Sequence, residues 1–232
     1  MIPVLEIFGK TIQGEGVLIG QPTMFVRTAG CDYNCRWCDS KFTWDGSEKP
    51  KMLSPKEILS ELKGLDDNFQ HVTISGGNPA LIGKPMGEFI DLLHKNRIQV
   101  AIETQGSKFQ EWFKEVDTLT LSPKPPSSGM NTNFEMLNYI INNVPQGNVN
   151  LKVVVFDDYD FEYAKQIHKL HPNIPFNVQV GNDDVNSNHD IAIRLLQKFE
   201  WLTNKVINDN EMNKVRVLPQ LHALIWGNKR GV

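Results

Sequence analysis

The chain's 232 residues are 40% hydrophobic and 22% charged, with a formal net charge of −3. These proportions suit one globular domain with a substantial core and give no hint of nucleic-acid binding. The start Met1-Ile-Pro-Val-Leu-Glu lacks the basic region and long apolar stretch of a signal peptide, and no apolar run nears the roughly 20 residues that span a membrane. A cytoplasmic protein is expected, in a compartment reducing enough to keep free thiols.

Residues 1–22 hold no clear strand and precede the alternating part of the chain. From residue 23 onward, short β-branched runs alternate with amphipathic segments. Strand 23–27 leads into a polar loop, 28–48, that holds all the cysteines. A helix over 55–62 follows, with Ser54 as its cap, Pro55 in its first turn and Glu57 closing a capping box. Then come strand 71–75, helix 86–95, strand 99–103, helix 108–115 and strand 118–121. Helix 133–142, strand 151–156, helix 161–171, strand 176–180, helix 190–205 and strand 214–218 complete the series, and 219–232 is a tail. Strand–helix alternation implies a mainly parallel sheet with right-handed crossovers. A complete (β/α)8 barrel takes about 250 residues, which is more than the N-terminal and cysteine segments leave. The expected fold is α/β: an abridged, open (partial) TIM-type β/α barrel of about six parallel strands, in a single domain over 1–232. A doubly wound open sheet is the alternative.

All three cysteines lie in Cys31-Asp-Tyr-Asn-Cys35-Arg-Trp-Cys38, at the spacing C-x3-C-x2-C. Structural zinc wants four ligands, usually in paired hooks, and the six histidines (71, 94, 168, 171, 189 and 222) are scattered. An odd number of closely spaced cysteines also suits disulfides poorly. Inert core thiols remain an alternative, although Asp32, Asn34, Arg36 and Asp39 read as a solvated loop. Three thiolates suit an iron–sulfur cube with one iron left open, whereas electron-carrying clusters usually have four cysteine ligands.

The polar motifs fall at the C-terminal ends of the expected strands, where β/α barrels gather their chemistry. Gly76 and Gly77 let backbone approach a ligand closely, or simply form a turn. Glu103 can accept from ribose hydroxyls or leave its strand into water. Ser122-Pro123-Lys124 offers a hydroxyl, a rigid turn and a cation. Gln179, with Asn182-Asp-Asp184 beyond it, is a polar strand end able to reach an adenosyl group. In extended chain, Gln13 and Glu15 share a side and suit the amino-pyrimidinone edge of a pterin or guanine, or else are exposed in a glycine turn. Arg27 ends an apolar run, where it is costly to bury unpaired, and is expected to meet a ligand carboxylate.

The cysteine spacing resembles the signature of radical S-adenosylmethionine (SAM) enzymes, and Gly76-Gly77-Asn78-Pro79 resembles their Gly-Gly-Glu-Pro motif, with Asn78 in place of Glu. Nearly end to end, the chain also resembles the 7-carboxy-7-deazaguanine synthases. The matching segments include Ile7-Phe-Gly-Lys-Thr-Ile-Gln-Gly-Glu-Gly16, Phe25-Val-Arg-Thr-Ala-Gly-Cys31, Trp37-Cys-Asp-Ser40, Ile102-Glu-Thr-Gln-Gly106, Leu121-Ser-Pro-Lys124 and Val217-Leu-Pro-Gln-Leu-His222. The resemblance implies a carbon–nitrogen lyase with a radical SAM core, acting in queuosine (7-deazapurine) biosynthesis. Its substrate would be 6-carboxy-5,6,7,8-tetrahydropterin and its product 7-carboxy-7-deazaguanine, formed by ring contraction with loss of ammonia. It further implies that Cys31, Cys35 and Cys38 hold a [4Fe-4S] cluster. SAM would be met by Trp37, Cys38, Asp39, Gly76, Gly77, Glu103, Ser122, Pro123, Lys124 and Gln179. Substrate would be met by the 1–22 segment through Ile12, Gln13, Gly14 and Glu15, by Arg27 and Ser75, and by Gln220 and His222 near the tail. Ser40 would ligate Mg2+. A flavodoxin- or ferredoxin-type reductant and a homodimer are implied, with no membrane or nucleic-acid partner. A glycyl-radical activating enzyme and a small iron–sulfur electron carrier are the competing readings of the cysteine motif.

Overall fold

A computed structural model describes residues 1–182, 184–185 and 190–232. His189 and Asp183, considered above, lie outside the described residues. The strands are β1 (Ile2–Ile12), β2 (Pro22–Thr28), β3 (Lys51–Leu53), β4 (His71–Gly76), β5 (Gln99–Thr104), β6 (Thr118–Leu121), β7 (Val149–Val155), β8 (Phe176–Val180) and β9 (Arg216–Leu218). The helices are α1 (Pro55–Leu65), α2 (Lys84–Lys95), α3 (Phe134–Asn143), α4 (Asp158–Leu170), α5 (Ile191–Ile207) and α6 (Leu221–Trp226).

One sheet runs β3-β1-β2-β4-β5-β6-β7-β8-β9. β1 is antiparallel to β2 and β3, and every step from β2 to β9 is parallel. The outermost strands β3 and β9 do not pair, so the barrel is open. Six parallel strands of four or more residues match the expectation, and the three-residue β9 adds a seventh.

Along the parallel strands, alternate residues take opposite roles, as the pleat requires. Met24, Val26, Val72, Ile74, Val100, Ile102, Leu119, Leu121, Leu151, Val153, Phe176 and Val178 join the core. Fully burying each such side chain stabilises by about 1.5–3 kcal/mol. Residues of the opposite parity, among them Arg27, Ser75, Glu103, Ser122 and Lys152, face a cleft on the other side of the sheet.

The structure departs from the expected elements in four places, one of them the short unexpected edge strand β3. Residues 1–22 contribute β1, whose alternation is broken by register shifts between Val4 and Glu6 and between Phe8 and Thr11, and whose residues are mostly half-buried. No clean period of two was there to be read. The expected helix 108–115 is a 3-10 turn over Glu111–Glu115. Trp112 donates to the Ile82 carbonyl at 3.0 Å and Gln110 to that of Ala80 at 2.6 Å, and this anchoring prevails over an α-helix. In the tail, residues 221–226 form α6, too short for a periodic pattern. By contrast, α1 starts as expected: Ser54 Oγ accepts from the Glu57 amide at 3.3 Å, and the Glu57 carboxylate accepts from the Ser54 amide at 2.7 Å.

Candidate active site

The cleft, about 220 Å3, lies at the C-terminal ends of the parallel strands, and Cys31, Cys35 and Cys38 all line it. N–H groups face two of the sulfurs. The Tyr33 amide lies 3.5 Å and Gln105 Nε2 3.6 Å from Cys31 Sγ, and Trp44 Nε1 lies 3.4 Å from Cys38 Sγ. Burial pushes all three thiols above their ordinary range, while Lys124 acts in the opposite direction. Loading a metal there must displace their protons.

Gly76 and Gly77 line the cleft, and their lack of side chains serves the loop as well. A Cβ on Gly76 would meet the Thr28 carbonyl at 2.3 Å, and one on Gly77 the Gly30 carbonyl at 2.0 Å. The glycines thus let the end of β4 pack against the backbone that leads into Cys31. Asn78 is wholly buried and does not reach the cleft. Its amide donates to Asp32 at 2.8 Å and Ser107 at 3.0 Å, and its oxygen accepts from the Ala80 amide at 3.1 Å and the Thr104 hydroxyl at 2.7 Å.

Opposite the cysteines, residues far apart in sequence form a polar array. Lys152 Nζ lies 2.5 Å from Glu15 and 3.5 Å from Glu103. Gln13 donates to Glu103 at 3.1 Å and Gln220 to Glu15 at 2.8 Å. The Gln13 side-chain oxygen accepts from the Glu15 amide at 3.2 Å. A Cβ on Gly14 would strike the His222 ring at 2.1 Å, so this glycine lets the tail close on the first turn. Glu15, Asp39 and His222 bring donor atoms within 4.8 Å of one another. Glu15 already has an ammonium and an amide on its two oxygens, which makes it a poor partner for a further cation.

Arg27 lines the cleft, but its nearest charge is part of the protein. Nη1 donates to Glu6 at 3.0 Å, and the guanidinium lies 5.1 Å from the Phe8 ring. Glu6 thus meets part of the charge that the sequence assigns to a ligand carboxylate. Ser40 Oγ donates to Asp39 at 3.0 Å and, although Ser40 opens the 3-10 turn Lys41–Thr43, makes no capping bond. Lys124 donates to Ser122 at 3.3 Å and lies 5.8 Å from the Trp37 ring.

Of the residues expected to contact ligands, Gln13, Gly14, Glu15, Arg27, Trp37, Cys38, Asp39, Ser40, Ser75, Gly76, Gly77, Glu103, Ser122, Lys124, Gln220 and His222 line the cleft, whereas Ile12, Pro123 and Gln179 do not. Gln179 is wholly buried in β8 and its amide has no hydrogen-bond partner. Lys152, Gln105 and Phe156 line the cleft without having been singled out as contacts, and so does the terminal Val232, which the family resemblance offers beside Gln220 and His222 as a substrate contact. Lys152 was legible as the lone charge in Val-Asn-Leu-Lys-Val-Val-Val, at the parity of Asn150.

The donor set fits an iron–sulfur cluster: three thiols, N–H groups facing sulfur, and a cation nearby. An open β/α barrel with such a loop at its strand ends defines a radical SAM enzyme, and the radical SAM superfamily matches residues 25–125. A 7-carboxy-7-deazaguanine synthase of Bacillus subtilis is 58% identical, covering 100% of this chain and 98% of its own. One from Bacillus cereus is 56% identical, covering 100% and 99%. The crystal structure of QueE from Escherichia coli superposes with a TM-score of 0.67 at 24% identity, over 95% of this chain and 94% of that one. The chain belongs to the 7-carboxy-7-deazaguanine synthase family.

Proposed function

We propose that the chain converts 6-carboxy-5,6,7,8-tetrahydropterin to 7-carboxy-7-deazaguanine, releasing ammonia, as a step of queuosine-type deazapurine synthesis. The observation that carries this reading is the polar array of Gln13, Glu15 and Glu103, which lines one cleft with the three cysteines; Glu103, expected beside SAM, is reassigned to the substrate because Gln13 and Lys152 hold it in this array. An amino-pyrimidinone edge offers N–H donors to the carboxylates and an oxygen to an amide. Arg27, steered by Glu6, takes the substrate carboxylate at the opposite end. Cys31, Cys35 and Cys38 would hold a [4Fe-4S] cluster, which with bound SAM supplies a one-electron route to hydrogen abstraction. Gly76 and Gly77 place backbone beside SAM, and Ser122 and Lys124 face it from β6. The tail, with Val232 in the cleft wall, excludes water.

Ser40 is proposed as the protein ligand of Mg2+, which otherwise keeps waters and substrate oxygens. A flavodoxin- or ferredoxin-type reductant, a homodimer and a cytoplasmic setting complete the reading. Among the described residues, no helix is long and apolar enough to cross a membrane. Anaerobic turnover of the reconstituted protein with the carboxylated pterin, SAM and a strong reductant tests the function, with products identified by mass. The deazapurine acid and ammonia are expected, and SAM cleavage without pterin consumption would refute the assignment. In the same assay Mg2+ should stimulate the wild type and Ser40→Thr, but Ser40→Ala only weakly. Identical magnesium curves for wild type and Ser40→Ala would remove Ser40 as a ligand.

A further inference from the structure

We propose that Lys152 is a positioning residue: its buried ammonium holds Glu15 and Glu103 as paired acceptors for the N–H donors of the substrate's amino-pyrimidinone edge, and so sets selectivity for that edge. This rests on the function proposed above. The arrangement is nearly symmetric. Each carboxylate gives one oxygen to Lys152, at 2.5 and 3.5 Å, and the other to a carboxamide, that of Gln220 or of Gln13. The three charged groups come from the turn after β1, the end of β5 and the middle of β7, so no local structure would bring them together. The Lys152 side chain is only 5% exposed.

Two carboxylates against one ammonium, with the Asp39 carboxylate beside Glu15, leave the array with negative charge in excess. That excess welcomes N–H donors and repels a carboxylate, while Arg27, from β2, lines the same cleft. A ligand with donors at one end and an acid at the other is therefore oriented in a single sense. The ammonium also keeps Glu15 in acceptor form. Burial by itself would raise the Glu15 carboxyl, but Lys152 and His222 outweigh it and hold it far below the usual carboxylate range. Burial would likewise lower Lys152, yet Glu103 and Glu15 hold it above its ordinary value. Without the ammonium, Glu15 loses the largest influence that keeps it ionised, and a protonated acid offers a donor where an acceptor is needed.

A purely structural reading is available, because buried ion pairs add little net stability and break expensively. The test therefore reads selectivity at matched iron content. KM and Kd are measured for the carboxylated pterin and for its analogue lacking the 2-amino group. Wild type should prefer the amino compound. Lys152→Met, which keeps the length of the chain, should raise KM for the pterin roughly ten- to a hundredfold, with kcat much less affected, and should bring the two ligands toward equal affinity. Should Lys152→Met fail to fold, Lys152→Met/Glu103→Gln restores the charge balance and should show the same loss of discrimination. Wild-type discrimination retained in whichever variant folds would overturn the proposal. Failure of the wild type itself to bind or turn over the carboxylated pterin would instead overturn the proposed function.

Discussion

Asn78 stands within a ligand-binding motif, yet its side chain serves the fold. The pattern Gly-Gly-Asn-Pro points toward a ligand, but the side chain spends all four of its hydrogen bonds inside the protein. Its NH2 group faces the Asp32 carboxylate in the cysteine loop, which a Glu or Asp in its place could not do without repulsion. Asn78→Asp should therefore lower stability by about 1–3 kcal/mol, the cost of a buried group left unpaired, and should speed iron loss to a chelator. Denaturant melts and iron-release rates check this, and unchanged values would show that the loop does not depend on Asn78. Arg27 carries the complementary lesson. The cost of burying a lone guanidinium was read correctly, but Glu6, on a strand the sequence did not reveal, already meets part of it. Arg27→Ala should raise KM for the pterin roughly ten- to a hundredfold, the worth of a charge-assisted hydrogen bond, and Glu6→Gln should give a smaller rise. Equal KM values for wild type and Arg27→Ala would take Arg27 out of substrate binding.

At the level of elements, the parallel strands were legible because each must be apolar on its helix-facing side, and the motifs at their ends followed by the barrel rule. β1 was hidden by its bulges, and Lys152 by the apolar run around it. Which polar ends meet is a matter of contacts 137 and 205 residues apart, beyond any local pattern. Capping is testable directly: Ser54→Ala should destabilise by about 0.5–2 kcal/mol without altering KM. β4 adds a pH dependence. His71, at its start, bonds the Thr23 hydroxyl at 2.8 Å, and burial lowers its pKa below the ordinary histidine value of about 6.5. His168 and His171, at the end of α4, are lowered for the same reason. The unfolded chain then takes up protons that the folded chain refuses, so stability is full above about pH 6.5 and falls as the medium becomes more acidic. His71→Gln should flatten the change in Tm between pH 7 and 5. A wild-type Tm indifferent to pH over that span would contradict the account.

For the whole molecule, an open barrel leaves a seam that its own ends must close. Here the last residues meet the first. The Leu221 amide donates to the Gly14 carbonyl at 2.9 Å, Gln220 holds Glu15, and Arg230 binds both Glu6 on β1 and Glu48 in the cysteine loop while stacking 3.4 Å from the Phe42 ring centroid. Glu6 therefore connects the tail to Arg27. Among the described residues, the Asn228 side chain accepts from Asn182 at 2.7 Å and donates to the Asp184 carbonyl at 3.0 Å, the backbone bond from Lys229 to Trp226 is the tail's last, and beyond it Arg230 anchors residues 230–232. Exposed ion pairs are individually weak and are screened beyond about 8 Å at physiological ionic strength, but this one joins two carboxylates and a ring. Arg230→Ala should accelerate amide exchange across 230–232 and raise KM severalfold, because the tail closes the cleft over Arg27. High salt should bring wild-type exchange in the tail toward that of the variant, since screening removes the charge contacts and leaves only the stacking. Exchange rates identical in wild type and Arg230→Ala at low salt would show that the tail is held by something other than this arginine.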